Sequence, residues 1–309
     1  MIRIPDTDLV LSDVGLGTAK AGLTYREADE IIARFMDLGG NLIDTARVYS
    51  DWVPGEIGRS ERVIGDALSR LGTRNKAVLM TKGGHPDITH GFDMTKSRVS
   101  AGDMRVDLEL SLKALRTETI DIYLYHRDNP EISVPELIEI MEDFRREGKI
   151  RYYACSNWSA ARMMEADRYC EEKGYRGFIV DQSLQNAGVR GMNPPMDPTL
   201  TVAKGDIFEY HRENPHNMLM PFSSVAEGYF HRWILKGEGG GVYDTEENRK
   251  LAERIRELCE QYSASITQVL LSYFKTLPMQ VLPLFGPKDM SQIDDMMMTV
   301  DIPAEAFEV

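Results

Sequence analysis

Short apolar runs alternate with longer stretches of helical periodicity along the whole of this 309-residue sequence. Eight of the runs have the composition of parallel strands whose two faces are both covered. These candidate strands lie at residues 14–16, 42–44, 77–81, 120–125, 150–155, 178–181, 218–221 and 281–284. Eight strands joined by helical crossovers predict an α/β fold, the (β/α)8 TIM barrel, and we expect a short N-terminal hairpin at residues 3–12.

Helical periodicity is clearest in four of the intervening segments. The first has Thr24 as its candidate N-cap and ends at Gly39-Gly40, since glycine favours helix termination. The others have their apolar positions at residues 106–115, 137–144 and 251–258. Helices in these places would supply crossovers between parallel strands.

The chain shows no sign of division into two domains. No linker rich in proline, glycine or serine interrupts it, and its length suits one large barrel, so we expect residues 1–309 to form a single domain. A doubly wound sheet is the competing fold, and it would carry a glycine-rich phosphate loop after its first strand. Gly15 and Gly17 are not followed by a further glycine at the required spacing, which favours the barrel.

Charge and cysteine content exclude several classes of function. A net charge of −13 would repel a phosphate backbone, so we expect no general binding to nucleic acid. The three cysteines, Cys155, Cys170 and Cys259, are too few and too scattered for a disulfide framework or a zinc site. The N-terminus lacks an apolar leader and no run is long enough to span a bilayer, so we expect a cytoplasmic protein without membrane contact.

Reactive side chains follow three consecutive candidate strands. Asp44 ends the second strand, Lys82 follows the third and His126 follows the fourth, while Tyr49 lies five residues beyond Asp44. In a parallel barrel, reactive groups sit at the carboxyl ends of the strands. We therefore expect a carboxylate, an ammonium, an imidazole and a phenol at one mouth.

These four groups suit the protonation of a carbonyl oxygen. A phenol has an ordinary pKa of about 10, and an adjacent ammonium is predicted to lower the pKa of Tyr49. Asp44 would hold Lys82 in place and keep it charged, and a neutral His126 would hydrogen-bond a substrate oxygen. The assembly would then protonate the oxygen while a hydride arrives at the carbon.

Two other motif interpretations fail on spacing. His126-Arg127-Asp128 has the letters of a kinase catalytic triplet, but Ser133 stands where that motif requires asparagine. The six histidines never form a His-x-His or His-Glu-x-x-His pattern, so we expect no metal site.

The segments around the four reactive residues resemble the aldo-keto reductase superfamily. The matching segments occur in the family's order at residues 41–49, 58–65, 81–82, 120–126, 148–151 and 156–158. The resemblance implies an oxidoreductase that interconverts a carbonyl compound and an alcohol by hydride transfer. It also implies that Asp44, Tyr49, Lys82 and His126 form the catalytic tetrad, with Tyr49 as the proton donor.

The same resemblance implies a nicotinamide dinucleotide cofactor held without a Rossmann fold. Ser156, Asn157 and Gln182 match the family residues that bind the carboxamide, and Phe222 stands where a tyrosine commonly stacks on the nicotinamide ring. The remaining cofactor-binding residues implied on this side are Gly17, Thr18, Asp44, Ser223 and Val225.

The adenosine end of the cofactor is expected after the last strand. Residues 283–296 resemble the family's phosphate-binding loop and the helix that follows it, whose N-terminus would favour an anion. Gly286, Lys288 and Gln292 are the candidate residues, and Lys288 favours NADP(H) over NAD(H) because it can pair with a 2′-phosphate. Gln292 stands where arginine is frequent and Met296 where asparagine is common, so NAD(H) stays open.

The candidate substrate residues follow the reactive ones along the chain. They are Trp52, His85, Arg127 and Trp158, with His90 as a further neighbour. If they line the mouth, their aromatic faces and polar groups favour a polar or sugar-like carbonyl compound or alcohol. We also interpret residues 188–204 as a lid, and expect a monomer or a small homo-oligomer.

Two other functions stay open at this stage. One is a non-catalytic, cofactor-binding regulatory barrel of the same family. The other is an isomerase or hydrolase on the same fold, since a fold does not fix the chemistry.

Overall fold

The chain begins with an antiparallel hairpin in the computed structural model, which describes residues 1–19, 25–89, 91 and 93–308. In this hairpin β1 (Ile2–Arg3) pairs with β2 (Val10–Leu11), so the predicted hairpin is confirmed. Buried Ile4, Leu9 and Leu11 pack with the apolar side chains inside the main sheet, which anchors the hairpin to that sheet.

Eight parallel strands form one sheet whose order follows the chain. They are β3 (Gly15–Gly17), β4 (Leu42–Asp44), β5 (Val78–Gly83), β6 (Ile120–Tyr125), β7 (Ile150–Ser156), β8 (Val180–Gln182), β9 (Met218–Leu219) and β10 (Leu284–Phe285). The order is β10-β3-β4-β5-β6-β7-β8-β9. A bridge from Leu219 to Val281 joins the two ends, so the predicted (β/α)8 barrel is confirmed.

Helices occupy the connections between these strands. The α-helices are α1 (Tyr25–Asp37), α2 (Arg59–Leu71), α3 (Ala101–Leu115), α4 (Val134–Arg146), α5 (Ala160–Lys173), α6 (Asp206–Glu213), α7 (Tyr229–Lys236), α8 (Glu246–Tyr262), α9 (Ile266–Ser272) and α10 (Met290–Met296). The four predicted helical segments are all helices, whereas the candidate cap Thr24 lies outside the described residues. Among the described residues, none of the helices combines the length and apolar character needed to cross a bilayer.

Two predicted strands begin later than their apolar runs suggest. The runs at 178–181 and 281–284 become β8 (Val180–Gln182) and β10 (Leu284–Phe285). The first residues of each run are buried and apolar, but the continuous ladder begins only further along. A hydrophobic run indicates which residues are buried, not which are hydrogen-bonded in a strand. At these two places the buried residues extend beyond the paired ones.

Period-two alternation along the strands places the site. Five apolar residues in the barrel interior are each followed two positions later by a polar residue, and the pairs are Leu42 and Asp44, Met80 and Lys82, Leu124 and His126, Ala154 and Ser156, and Val180 and Gln182. Alternate residues of a strand share a face, so all five polar side chains project inward. They lie at the carboxyl ends of β4 to β8, next to the apolar side chains that fill the barrel interior.

Candidate active site

Buried Lys82 contacts two of the other predicted tetrad residues, Asp44 and Tyr49. The Lys82 side chain is 2% exposed and its Nζ lies 2.7 Å from Asp44 Oδ1. The same Nζ lies 3.1 Å from the Tyr49 hydroxyl oxygen and donates to the Thr45 carbonyl oxygen at 2.8 Å. Gln182 Nε2 donates to the shared Asp44 oxygen at 3.0 Å. The ammonium is therefore fully coordinated and held in one position.

The electrostatic balance at Tyr49 differs from the sequence prediction. Burial alone would lower the pKa of Lys82, but the Asp44 carboxylate and the Tyr49 oxygen together raise it above its ordinary value. Desolvation raises the pKa of Tyr49, and the nearby Lys82 charge offsets this only in part. Lys82 does act to lower the Tyr49 pKa, as predicted, but the loss of water outweighs the ammonium, so the net pKa of Tyr49 is raised and not lowered. Tyr49 keeps its proton at neutral pH.

His126 completes the predicted tetrad as a neutral ring. Its ring centroid lies 5.7 Å from that of Tyr49 and 4.7 Å from that of His85, both in edge-on geometry. Burial lowers the pKa of His126 well below its usual range, and the positive groups around it act in the same direction. Burial likewise lowers the pKa of His85 to about 4. Both imidazoles are therefore uncharged at neutral pH.

One cavity of about 330 Å³ opens at the carboxyl ends of the strands. It extends from the tetrad past the ends of β7 and β8 to the segments that follow β9 and β10. The predicted residues that line it are Gly17, Asp44, Tyr49, Lys82, His126, Arg127, Ser156, Asn157, Gln182, Phe222, Ser223, Val225, Gly286, Lys288 and Gln292. Residues from distant parts of the chain are thus brought to one continuous surface.

The cavity lining does not include four other predicted residues, Thr18, His85, Trp52 and Trp158. Thr18 is buried beneath it, where its hydroxyl donates to the Asp44 carbonyl oxygen at 2.9 Å and supports that strand end. His85 contacts the ring of His126, with the two ring centroids 4.7 Å apart, but is not among the lining residues. Trp52 is 46% exposed on the loop that follows Tyr49. His90 lies outside the described residues.

Trp158 lies in the apolar core, not at the mouth where the sequence suggested it. Its side chain is fully buried, and its ring centroid is 4.9 Å from that of Phe178. The preceding Asn157 adopts a left-handed φ of 62°, so the backbone changes direction directly after β7. The position of Trp158 in the sequence does not indicate this change of direction. As a result, Trp158 packs in the core and not at the mouth of the barrel.

Left-handed backbone conformations cluster around the cavity. Among its lining residues, Asn157, Ser223 and Glu227 have φ values of 62°, 53° and 53°, and the adjacent Ala226 has 51°. Such conformations are unfavourable for residues other than glycine and gather at ligand-binding sites. Asn157 is held by its own contacts, since its Nδ2 donates to the His126 carbonyl oxygen at 3.2 Å and its Oδ1 accepts from the Thr201 N–H at 3.0 Å.

The far end of the cavity combines exposed backbone with a cation. A Cβ added to Gly286 would lie 3.0 Å from the Gly17 carbonyl oxygen, so a side chain here would crowd the Gly17 backbone. Lys288 is exposed beside it, and its N–H donates to Gln292 Oε1 at 2.8 Å. The N-terminus of α10 is capped by Asp289, whose Oδ1 accepts from the Gln292 N–H at 3.0 Å. A carboxylate thus occupies the helix end that was predicted to favour an anion, and Lys288 supplies the positive charge.

Sequence reasoning missed several lining residues. Leu200, Ser224, Glu227 and His231 also face the cavity. Leu200 belongs to the predicted lid, residues 188–204, whose backbone pairs with the segment after β8 through a bridge from Val202 to Leu184. No local pattern marks these residues, because they reach the cavity through loop conformation. Among the described residues, no cluster of histidine, cysteine and carboxylate side chains could hold a metal ion.

The sequence is similar to those of known oxidoreductases. A sequence model described as "Aldo/keto reductase family" matches residues 13–308. Norsolorinic acid reductase B of Dothistroma septosporum is 26% identical over 305 residues, which cover 91% of this chain and 70% of that protein. The aryl-alcohol dehydrogenase [NADP(+)] of Phanerodontia chrysosporium is 25% identical over 304 residues, 93% of this chain and 74% of its own length. An uncharacterized oxidoreductase of Bacillus subtilis, YrpG, is 26% identical over 306 residues, with 96% and 89% covered.

Proposed function

This chain belongs to the aldo/keto reductase family, and we propose that it reduces a carbonyl compound to an alcohol with NADPH, with Tyr49 as the proton donor. The family is one of oxidoreductases that act with nicotinamide cofactors on small carbonyl or alcohol substrates. The observation that carries the proposal is the contact of the Lys82 ammonium with both Asp44, at 2.7 Å, and the Tyr49 hydroxyl, at 3.1 Å.

The proton chemistry follows from the state of each side chain. Tyr49 is protonated at rest because desolvation raises its pKa, so it has a proton to donate to the carbonyl oxygen. Lys82 stabilises the phenolate left behind, and Asp44 keeps the ammonium charged and oriented. Neutral His126 would donate a hydrogen bond to the same oxygen.

The cavity residues fit a nicotinamide dinucleotide, which would supply the hydride when bound. Ser156, Asn157 and Gln182 would hold the carboxamide, and Phe222 would stack on the ring. The pyrophosphate would lie beside Ser223, Val225, Gly17 and Gly286. Thr18 would support the strand end at Asp44. Lys288 with Gln292 would meet the adenosine end and favour NADP(H) over NAD(H).

The substrate is proposed to be polar or sugar-like. Arg127 lines the cavity beside Tyr49 and His126, so polar groups would surround the reacting carbonyl. His85 contacts the His126 ring without lining the cavity. We further propose that residues 1–309 act as one domain in the cytoplasm, as a monomer or a small homo-oligomer, with residues 188–204 serving as the lid.

The test of this function is the substitution Tyr49→Phe, which removes the phenol and little volume. General acid catalysis contributes roughly 10²–10⁴-fold, so kcat for NADPH-dependent reduction of a carbonyl panel should fall by about that factor. NADPH binding, followed by quenching of protein fluorescence, should stay within about threefold of the wild-type value.

Tyr152→Phe is the matched control. Tyr152 lies at the opposite end of the barrel, where its hydroxyl donates to Asp8 at 2.8 Å, so its loss should leave kcat unchanged. Near-normal reduction by Tyr49→Phe would end the assignment. A wild-type protein that binds NADPH but reduces no carbonyl compound would support the non-catalytic regulatory barrel instead.

A further inference from the structure

One guanidinium lies in the cavity wall next to the tetrad. Arg127 follows His126 at the end of β6, and its side chain is only 11% exposed. It lines the same cavity as Tyr49 and Lys82. Burying a cation costs free energy unless hydrogen bonds or opposite charges compensate it. The partners of this guanidinium therefore bear on its role.

Three contacts hold this guanidinium in one orientation. Its Nε donates to Thr199 Oγ1 at 2.9 Å, its Nη1 to the His126 carbonyl oxygen at 2.9 Å, and its Nη2 to Asp197 Oδ2 at 3.1 Å. A guanidinium has five N–H groups. Within the described part of the chain, two of them have no hydrogen-bond partner, on a group that faces the cavity.

Asp197 holds the orientation of Arg127 with one carboxylate oxygen, while the other oxygen bonds to its own segment. Its Oδ1 accepts from both the N–H and the hydroxyl of Thr199, at 2.9 and 2.6 Å. Thr199 in turn accepts from Arg127, so the three side chains form a closed network. The segment that carries it also brings Leu200 to the cavity, which adds an apolar surface beside the charge.

We propose that Arg127 determines specificity for carbonyl substrates that carry a carboxylate, and that Asp197 is its positioning residue. The inference rests on the proposed reductase function and names the substrate class of that site. A planar guanidinium with free N–H groups matches the two oxygens of a carboxylate, and such charge-assisted bonds are stronger than those to neutral acceptors. Leu200 would contact the carbon skeleton.

Matched substrates separate the charge from the rest of the molecule. We would measure kcat and KM with 2-, 3- and 4-formylbenzoate and with the methyl ester of each. The ester keeps the ring and an electron-withdrawing group but has no charge. The three isomers vary the distance between the aldehyde and the carboxylate. The wild-type protein should prefer at least one acid over its ester by about tenfold in kcat/KM.

Arg127→Met should remove this preference. We expect kcat/KM for the preferred acid to fall about 10- to 100-fold, mainly through KM, while the ester stays within about threefold. Arg127→Lys keeps the charge and loses the planar fork, so it should retain part of the preference. It also serves as the second variant if Arg127→Met does not fold.

Two further variants distinguish recognition from structure. Asp197→Ala removes the acceptor that orients Arg127, so KM for the preferred acid should rise about threefold, with kcat and the KM of the ester unchanged. Arg162→Met is the matched control, because Arg162 forms a partly buried ion pair with Asp128 at 2.6 Å but does not line the cavity. It should leave the ratio of acid to ester unchanged.

The outcomes separate this inference from the proposed function. Equal losses on acid and ester in Arg127→Met, with an active wild-type protein, overturn the carboxylate assignment alone. A wild-type preference for all three esters does the same and would favour a neutral, hydroxyl-bearing substrate. A wild-type protein that binds NADPH but reduces none of the six compounds or any of the wider carbonyl panel overturns both.

Discussion

The two ends of the cavity are built on different principles. At the tetrad end, Asp44 and Lys82 come from strand ends and are almost fully buried, and fixed partners hold both Lys82 Nζ and Asp44 Oδ1. At the far end, Lys288 is exposed on a loop before the seven-residue helix α10, and its side chain takes no part in an ion pair among the described residues. Strand register sets the first end, and loop conformation sets the second.

This difference predicts how each end responds to mutation. Removing one partner from a buried charge pair leaves an uncompensated charge, which costs both stability and function. An exposed cation is screened by solvent and salt, so its contribution is smaller and depends on ionic strength. The same substitution of lysine should therefore have effects of very different size at the two ends.

Lys82→Met should have the largest effect. It removes the charge that would stabilise the Tyr49 phenolate, and we expect kcat to fall by about 10²–10⁴-fold. It also leaves Asp44 buried without its partner, at a cost of about 3–5 kcal/mol in the free energy of unfolding. Single-turnover kinetics and urea denaturation measure the two effects separately. An active, fully stable Lys82→Met protein would remove the contrast between the two ends.

Glu61→Gln tests a buried carboxyl that lies behind the tetrad end. Glu61 accepts the Thr81 hydroxyl at 2.6 Å, and burial raises the pKa of Glu61 to about 7 from an ordinary value of 4.5. Between those values the folded chain binds more protons than the unfolded one, so stability falls as pH rises from 4.5 to about 7. The glutamine variant stays neutral, and relative to wild type it should gain about 2–3 kcal/mol between pH 5 and pH 8.

Urea denaturation at the two pH values checks this prediction. Glu118→Gln is the control, because Glu118 is exposed and its substitution should shift stability equally at both pH values. If wild type and Glu61→Gln keep the same stability difference at pH 5 and pH 8, the carboxyl does not titrate in this range.

Lys288→Ala should have a moderate effect confined to the phosphorylated cofactor. A lysine–phosphate contact is charge-assisted but exposed here, so we expect the Kd for NADPH to rise about tenfold at low salt and less at high salt. The Kd for NADH should change by less than about twofold, since that cofactor has no 2′-phosphate. Calorimetry with both cofactors measures this. Equal weakening of the two, or a wild-type preference for NADH, would contradict the role given to Lys288.

Trp52→Ala should have the smallest effect. We propose Trp52 as a wall of the substrate pocket; because it is 46% exposed and outside the cavity lining, we expect it to contact the substrate only at the rim. We expect KM for bulky cyclic carbonyl compounds to rise about threefold, with a small aldehyde unaffected. A uniform loss of kcat on both substrates, together with a lower Tm, would instead show that Trp52 anchors the loop of Tyr49.

The sequence determined the barrel and the composition of the buried end. Leu42 and Asp44, Met80 and Lys82, and Leu124 and His126 are each two residues apart, so the pleat alone directs each polar side chain inward beside its apolar neighbour. The carboxyl ends of parallel strands then meet at one mouth. These are local rules, which is why they can be applied without knowing the rest of the fold.

The tertiary structure alone decided how the groups at the mouth are paired and solvated. Arg127 meets Asp197 from a segment 70 residues away, Trp158 turns into the core after a left-handed Asn157, and desolvation reverses the expected direction of the Tyr49 pKa. Each outcome depends on what surrounds a side chain from distant parts of the chain. Charge and solvation act through space, whereas sequence spacing describes only the path along the backbone.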